Sequence, residues 1–90
     1  MTRKHIIFSG YVQGVGFRWR ARKAAELYGV TGWVRNDWNG TVTMEVQGTE
    51  EQIDQMLIAI QRGMHIRIDH MDSRTIPLDP DERGFRTEYD

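Results

Sequence analysis

The 90-residue sequence contains no cysteine. Disulfide bonds, thiol catalysis and cysteine-ligated zinc sites are therefore excluded. The chain has no excess of basic charge either, because 12 Lys and Arg are opposed by 13 Asp and Glu, for a formal net charge of −1. Proteins dedicated to nucleic-acid binding usually carry a strong basic excess, so a nucleic-acid partner is not expected.

Long apolar runs, repeats and low-complexity segments are also missing. Only three apolar residues, Ile6 to Phe8, follow the polar N-terminal segment. This run is too short for a signal-peptide core or a membrane span. We therefore expect one soluble domain over residues 1–90, acting in the cytoplasm as a monomer without a membrane partner.

In the first half of the sequence the spacing of the apolar residues changes twice. Alternating apolar residues predict a strand from about Lys4 to Val12, followed by a glycine-rich loop at 13–16. A helical apolar stripe then begins at Phe17, and Gly29 is a plausible stop for that helix. The stripe consists of Phe17, Ala21, Ala24, Ala25 and Tyr28. A second strand is predicted from Thr31 to Asn36.

The second half begins with a hairpin. Asn39-Gly40 favours a two-residue turn into an alternating strand from Thr41 to Gln47. Thr49 and Gln52 match a capping box for a second helix with an apolar stripe, which ends at Gly63. The stripe consists of Ile53, Met56, Leu57 and Ile60.

The last quarter of the chain has a weaker pattern. Ile66 and Ile68 alternate but Met71 is out of phase, which predicts a strand with either an irregularity or a late start. A turn is expected from Pro77 to Pro80 and a short edge strand from Phe85. The order predicts an α+β fold of the ferredoxin-like β-α-β-β-α-β type, with two helices on one face of an antiparallel sheet and the other face open.

The loop between the first strand and the first helix has the composition of an anion site. Gly14 and Gly16 allow neighbouring N–H groups to converge, and the helix N-terminus adds unpaired N–H groups and partial positive charge. Arg18 in the first turn adds a planar fork that matches two phosphate oxygens. The alternative is a tight turn with an exposed arginine, and the nearby Arg20, Arg22 and Lys23 are equally typical of one solvated helix face.

Asn36 is predicted to lie near this loop. In the split β-α-β arrangement the first two strands are parallel and flank the third, so their carboxyl ends open at the same sheet edge. With ~4.8 Å between strands, the two backbones should be roughly 10 Å apart. Considered alone, Asn36 is better explained as a turn residue before the hairpin.

These residues carry a family resemblance. Gly10 to Arg18 is similar to the acylphosphatase signature G-x-V-Q-G-V-x-F-R at every fixed position. Gly32 to Gly48 resembles the second signature of that family, G-W-V-R-N-x3-G-x-V-x5-G, with every spacing kept. The resemblance covers the chain in length and element order, and it is loose after Gly63.

The resemblance implies a cofactor-free, metal-independent hydrolase of small acyl phosphates. By analogy with the family, the backbone amides of Gln13, Gly14, Val15, Gly16, Phe17 and Arg18 would surround the phosphoryl group. The Arg18 side chain would bind the phosphoryl group and Asn36 would orient the attacking water. Trp38 either forms part of the rim that meets the acyl group or is an exposed hairpin side chain. His5, His65 and His70 show no spacing typical of metal ligands.

Two other functions remain open from the sequence. A non-catalytic ferredoxin-like module that binds an anion or regulates a partner would use the same loop but would not require Asn36. A single-stranded RNA binder would use aromatic residues on the open sheet face, with Tyr11 and Trp33 as possible platforms. The net charge argues against the second alternative.

Overall fold

The computed structural model describes residues 1–89, and the predicted domain boundary at Asp90 lies outside the described residues. The order of elements matches the predicted order, including the short last strand that begins at Phe85. The elements are β1 (Thr2–Tyr11), α1 (Phe17–Tyr28), β2 (Thr31–Asn36), β3 (Val42–Gly48), α2 (Glu50–Gln61), β4 (Arg67–Ile76) and β5 (Phe85–Glu88).

The described strands form one sheet in the order β4-β1-β3-β2-β5. β3 pairs antiparallel with both β1 and β2, so β1 and β2 are parallel and flank it. This is the split β-α-β topology that the sequence predicts. The carboxyl ends of β1 and β2, and the loops that follow them, therefore lie at the same edge of the sheet.

Both helices pack on one face of the sheet around a single core. The inward side chains of the sheet and both helices form one cluster, in which Phe8 and Phe17 are in ring contact at 5.0 Å. α1 ends at Gly29, whose φ of 72° places it in the left-handed region. Thr49 and Gln52 form the predicted capping box at the start of α2.

The sheet is mixed, whereas the sequence analysis predicted an antiparallel one. β5 pairs parallel with β2, with Phe85 opposite Gly32. The reason is topological: β4 ends where β1 begins, at the pair Arg3–Ile76, so the chain crosses to the far edge of the sheet at that same end. A strand that then adds to β2 must run in the direction of β2.

The crossing segment also covers part of the face that was predicted to be open. The Gln47 side chain accepts a hydrogen bond from the Asp79 N–H at 2.8 Å and donates one to the Asp79 carbonyl at 3.0 Å. Arg3 is ion-paired with Glu82 at 2.7 Å and with Glu45 at 3.1 Å. Arg3 and Gln47 are consequently buried, although they project from the polar face of the sheet.

The irregularity predicted near Met71 is confirmed as a β-bulge. Ser9 pairs with His70 and Gly10 pairs with Ile68, so Asp69 is an extra residue on β4. The extra residue explains the phase change, because it returns Met71 to the same side of the sheet as Ile68.

The hairpin between β2 and β3 is confirmed, but its turn differs from the predicted two-residue type. Gly40 donates its N–H to the Asp37 carbonyl at 3.1 Å, and Asp37 donates to the Thr41 carbonyl at 2.9 Å. Among residues 1–89 positive φ occurs only at glycines, so Asn39 lacks the conformation that a two-residue turn requires. Gly40, with φ of 93°, takes the left-handed position and the loop has three residues.

The Asp37 carboxylate holds this turn together. It accepts hydrogen bonds from the Thr43 hydroxyl at 2.6 Å, the Thr41 hydroxyl at 2.8 Å and Arg35 Nε at 3.0 Å. Burial raises the pKa of Asp37, but the three hydrogen bonds together lower it by more than burial raises it. The net pKa therefore lies below the ordinary value of 3.8.

We expect Gly32→Ala to destabilise the sheet strongly. Gly32 has φ of 146°, and an added Cβ would lie 1.9 Å from the Glu45 carbonyl oxygen of β3. The free energy of unfolding should fall by about 3 kcal/mol or more in urea titrations. Gly84→Ala is the matched control, because Gly84 has φ of 66° and open space around its Cβ position. Its cost should be only about 1–2 kcal/mol, and equal losses in both variants would contradict the close approach.

We expect Asp37→Asn to lower stability by about 1–3 kcal/mol at pH 7, because the amide cannot accept all three hydrogen bonds. The lowered pKa means that the native carboxylate contributes fully above about pH 3.8 and progressively less as the pH falls below that value. The difference in unfolding free energy between Asp37→Asn and the native protein should therefore shrink in acid. Asp54→Asn, at an exposed position of α2, is the control and should change the unfolding free energy at pH 7 by less than about 0.5 kcal/mol.

Candidate active site

The loop from Val12 to Gly16 turns the chain from β1 into α1. Gly14 and Gly16 have φ of 72° and 80°, in the left-handed region that favours glycine. Both glycines line a cavity of about 270 Å³, and a Cβ on either would meet no atom within 4 Å. The glycines are therefore required by the backbone conformation, and they leave the space in front of the loop open.

α1 begins at this loop without a cap from its own chain. Gly16 is the N-cap residue and forms no side-chain capping hydrogen bond, and the first turn of α1 contains no acidic residue. α2 is the opposite case, with a capping box and both Glu50 and Glu51 in its first turn. Within the described chain, the partial positive charge at the start of α1 is thus left without a capping side chain or an acidic residue in the first turn.

Arg18 and Asn36 line the same cavity. Arg18 belongs to the first turn of α1 and Asn36 is the last residue of β2. The arrangement of β1, β3 and β2 brings the two side chains to one sheet edge, as the topology predicts. Their roles in binding and catalysis remain predictions.

Arg18 has no carboxylate partner within residues 1–89. Its guanidinium carbon lies 5.9 Å from the centroid of the Tyr89 ring. Arg18 is partly buried against the cavity wall. The guanidinium therefore retains the donors that could bind an anion bidentately.

The two polar atoms of the Asn36 carboxamide have different surroundings. Oδ1 is buried and accepts no hydrogen bond from residues 1–89, whereas Nδ2 is not buried. A buried acceptor without a partner typically costs about 1–3 kcal/mol. The arrangement therefore leaves the NH₂ group as the part of Asn36 that can bind a molecule in the cavity.

The Gln13 side chain connects the two halves of the site. Its Nε2 donates hydrogen bonds to the Asp37 carbonyl at 2.7 Å and to the Thr41 carbonyl at 2.8 Å. Both acceptors belong to the turn that follows Asn36. Only the backbone amide of Gln13 was predicted to belong to the site, so the role of its side chain was missed.

The basic residues of α1 do not share one solvated face. Arg20 donates from Nε to the Ala59 carbonyl of α2 at 2.7 Å, and so binds one carbonyl in the last turn of that helix. Lys23 lies over the Trp19 ring at 5.8 Å. Arg22 lines the cavity together with Arg18.

Five residues of the cavity wall were not predicted as site residues. They are Val12, Trp19, Arg22, Thr87 and Tyr89. Trp19 and Arg22 had a usable signal, since they follow Arg18 by one and four positions on the same helix. Thr87 and Tyr89 had none, because the parallel pairing of β5 beside β2 carries them to the site.

Other predicted positions lie outside the cavity wall. Gln13 and Val15 do not line it, and Val15 packs against the core. Trp38 is 89% exposed and is also outside the lining, which favours the exposed hairpin interpretation. The possible RNA platforms are each in contact with an arginine. The guanidinium carbon of Arg67 lies 4.3 Å from the Tyr11 ring centroid, and that of Arg35 lies 5.2 Å from the Trp33 ring centroid.

Within the described residues, the histidines and acidic side chains form no metal centre. His5 contacts Glu45 at 2.7 Å, and His65 and His70 are exposed. Across residues 1–89, no group of three or more His, Asp or Glu side chains is arranged to hold a metal ion. None of the helices in that same range is long and apolar enough to cross a membrane.

Comparison with known proteins points to one family. The acylphosphatase family model matches residues 4–87. An acylphosphatase of Geobacillus thermodenitrificans is 41% identical over 90 residues, covering 99% of this chain and 96% of that protein. The crystal structure of the acylphosphatase from Bacillus subtilis has a TM-score of 0.90 and 27% identity, covering 99% of this chain and 100% of that one.

A second solved structure agrees with the first. The acylphosphatase from Coxiella burnetii has a TM-score of 0.86 and 32% identity, covering 97% of this chain and 92% of that one. Relatives of this kind are matched along nearly their whole length. Together with the family model over residues 4–87, they show that the chain belongs to the acylphosphatase family.

Proposed function

We propose that this protein is an acylphosphatase, which hydrolyses the carboxyl-phosphate bond of small acyl phosphates to a carboxylate and inorganic phosphate. Family membership supports the activity. The observation that carries the assignment to this site is the convergence of Arg18 and Asn36 on one cavity in front of the uncapped start of α1.

The phosphoryl group would be bound by the loop and Arg18. The glycine conformations and the uncapped helix start support a role for the backbone amides of Gln13 to Arg18. Arg18 would bind two phosphoryl oxygens through its planar fork, since no carboxylate within residues 1–89 competes for it. These donors would stabilise the charge that develops in the transition state.

Asn36 would position the attacking water in line with the bond that breaks. Its accessible Nδ2 would donate a hydrogen bond to the water oxygen. The Gln13 hydrogen bonds to Asp37 and Thr41 would hold Asn36 at a fixed distance from the phosphate loop. Such positioning is a major part of catalysis in phosphoryl transfer.

The reaction would need no protein base. The neighbouring Asp37 carboxylate is engaged by three donors and its pKa is lowered, which makes it a weak base. The water oxygen would attack phosphorus while the P–O bond to the acyl group breaks and the carboxylate leaves with the electron pair. One water proton would pass to a phosphoryl oxygen of the substrate, so that the products are the carboxylate and dihydrogen phosphate.

The location, oligomeric state, cofactors and partners of the protein are also proposed. The protein would act as a cytoplasmic monomer on a small substrate, without cofactor, metal ion, membrane or nucleic acid. Hydrolysis of benzoyl phosphate that is unaffected by a chelator, by a species of monomer size in gel filtration, tests this setting.

We expect Arg18→Lys to lower kcat/KM for benzoyl phosphate by at least about 100-fold and to weaken inhibition by inorganic phosphate. A point charge cannot replace the bidentate fork of the guanidinium. Arg62→Lys, at an exposed position just after α2, is the matched control and should retain full activity. An Arg18→Lys enzyme with normal activity and normal phosphate affinity would contradict the assignment.

We expect Asn36→Ala to lower kcat at least about 100-fold while the inhibition constant of phosphate changes less than about threefold. Removal of the buried, unpaired Oδ1 should leave the melting temperature unchanged or raise it. Asn39→Ala in the same hairpin removes a turn contact outside the cavity and should retain activity. Native protein that binds phosphate but hydrolyses no acyl phosphate would instead favour a non-catalytic anion-binding module.

A further inference from the structure

Two arginines of α1 line the cavity, and the proposed mechanism uses only one of them. Arg22 follows Arg18 by four positions, so both project from the same side of the helix. Residues four apart on a helix have Cβ atoms about 5–6 Å apart. The cavity wall therefore presents two cationic groups one helical turn apart.

Arg22 is exposed, and no partner within residues 1–89 holds its side chain away from the cavity. Within residues 1–89 it forms no ion pair, whereas Arg3, Arg35, Arg67 and Arg86 are each paired with a carboxylate. Those pairs are the ones with Glu82, Asp37, Asp69 and Glu88. Arg20 is engaged by the Ala59 carbonyl. Arg22 is thus an uncommitted cation at a cavity whose lining contains no Asp or Glu among these residues.

The charge of the site exceeds what one phosphoryl group requires. The loop amides, the start of α1 and Arg18 already surround the proposed phosphoryl position. Arg22 adds a further positive charge to the cavity wall, one helical turn farther along α1. The exposed rings of Trp19 and Tyr89 also line the cavity, at 62% and 79% exposure.

We propose that Arg22 binds a second anionic group on the acyl part of the substrate. The preferred substrates would be acyl phosphates that carry a carboxylate or similar anion several bonds from the phosphoryl group. Trp19 and Tyr89 would contact the carbon atoms between the two anionic groups. This inference rests on the proposed acylphosphatase activity and adds a substrate class to it.

The test compares substrates that differ in charge and hardly in shape. Benzoyl phosphates with a carboxylate at ring position 3 or 4 are compared with the neutral carboxamides at the same positions. For the better of the two isomers, the native enzyme should show a kcat/KM about tenfold higher for the carboxylate, as expected for one partly solvated charge-assisted hydrogen bond. Equal values for carboxylate and carboxamide at both positions would overturn the proposal.

Variants of α1 identify the residue responsible. Arg22→Gln should reduce the ratio of carboxylate to carboxamide kcat/KM to about one, and Arg22→Lys should restore part of it. Lys23→Gln removes the same charge from the next position, outside the cavity lining, and should keep the native ratio. A native ratio in Arg22→Gln, or an equal fall in Lys23→Gln, would contradict the assignment to Arg22.

A binding measurement on the native enzyme tests the second anion site without any variant. Carboxylated benzylphosphonates should inhibit the native enzyme about tenfold more strongly than the matching carboxamides, and the difference should diminish with added salt. If the native enzyme hydrolysed none of the benzoyl phosphates, the acylphosphatase proposal itself would fail. Hydrolysis of all of them at equal efficiency would leave that proposal intact and remove only the Arg22 subsite.

Discussion

The pair of hydrogen bonds from the Gln13 amide to the Asp37 and Thr41 carbonyls is the contact that makes one site out of two loops. The loop after β1 carries the candidate phosphate-binding groups, and the hairpin after β2 begins at the candidate water-binding Asn36. β3 separates the two strands, so their ends are not paired with each other directly. A side chain that binds two carbonyls across this gap fixes the separation of the loops, and the Asp37 hydrogen bonds keep the hairpin in the form that presents those carbonyls.

The crossing segment between β4 and β5 has a similar importance at the other side of the cavity. Because the chain crosses the polar face at the starting end of β1, β5 runs parallel to β2 and delivers Thr87 and Tyr89 to the edge where Arg18 lies. The buried ion pairs of Arg3 and the hydrogen bonds of Gln47 hold the crossing in place. Residues near the start of β1 thus position Tyr89 at the opposite end of the sheet.

Local sequence patterns predicted most of the fold because each element agrees with its own period. Ile6 and Phe8 alternate, Phe17 and Ala21 begin a helical stripe, and Thr49 with Gln52 caps α2. That Arg18 and Asn36 lie at the same sheet edge followed from strand order alone. The direction of β5 and the covered face could not be predicted, because they depend on contacts between distant segments such as Arg3 and Glu82. The same limit hid Tyr89, whose place in the cavity is a property of the crossing and has no local signal.

The proposed anion binding at the uncapped start of α1 would couple the folding equilibrium to the anion content of the surroundings. α2 carries its own N-terminal acceptor in Thr49, whereas α1 has no side-chain cap, and a bound anion would take that place. An anion that binds only the native chain at 100 times its dissociation constant adds about 2.7 kcal/mol to the free energy of unfolding by mass action. Inorganic phosphate, the proposed product, would then act on the enzyme in two opposed ways, by slowing its turnover and by prolonging its lifetime.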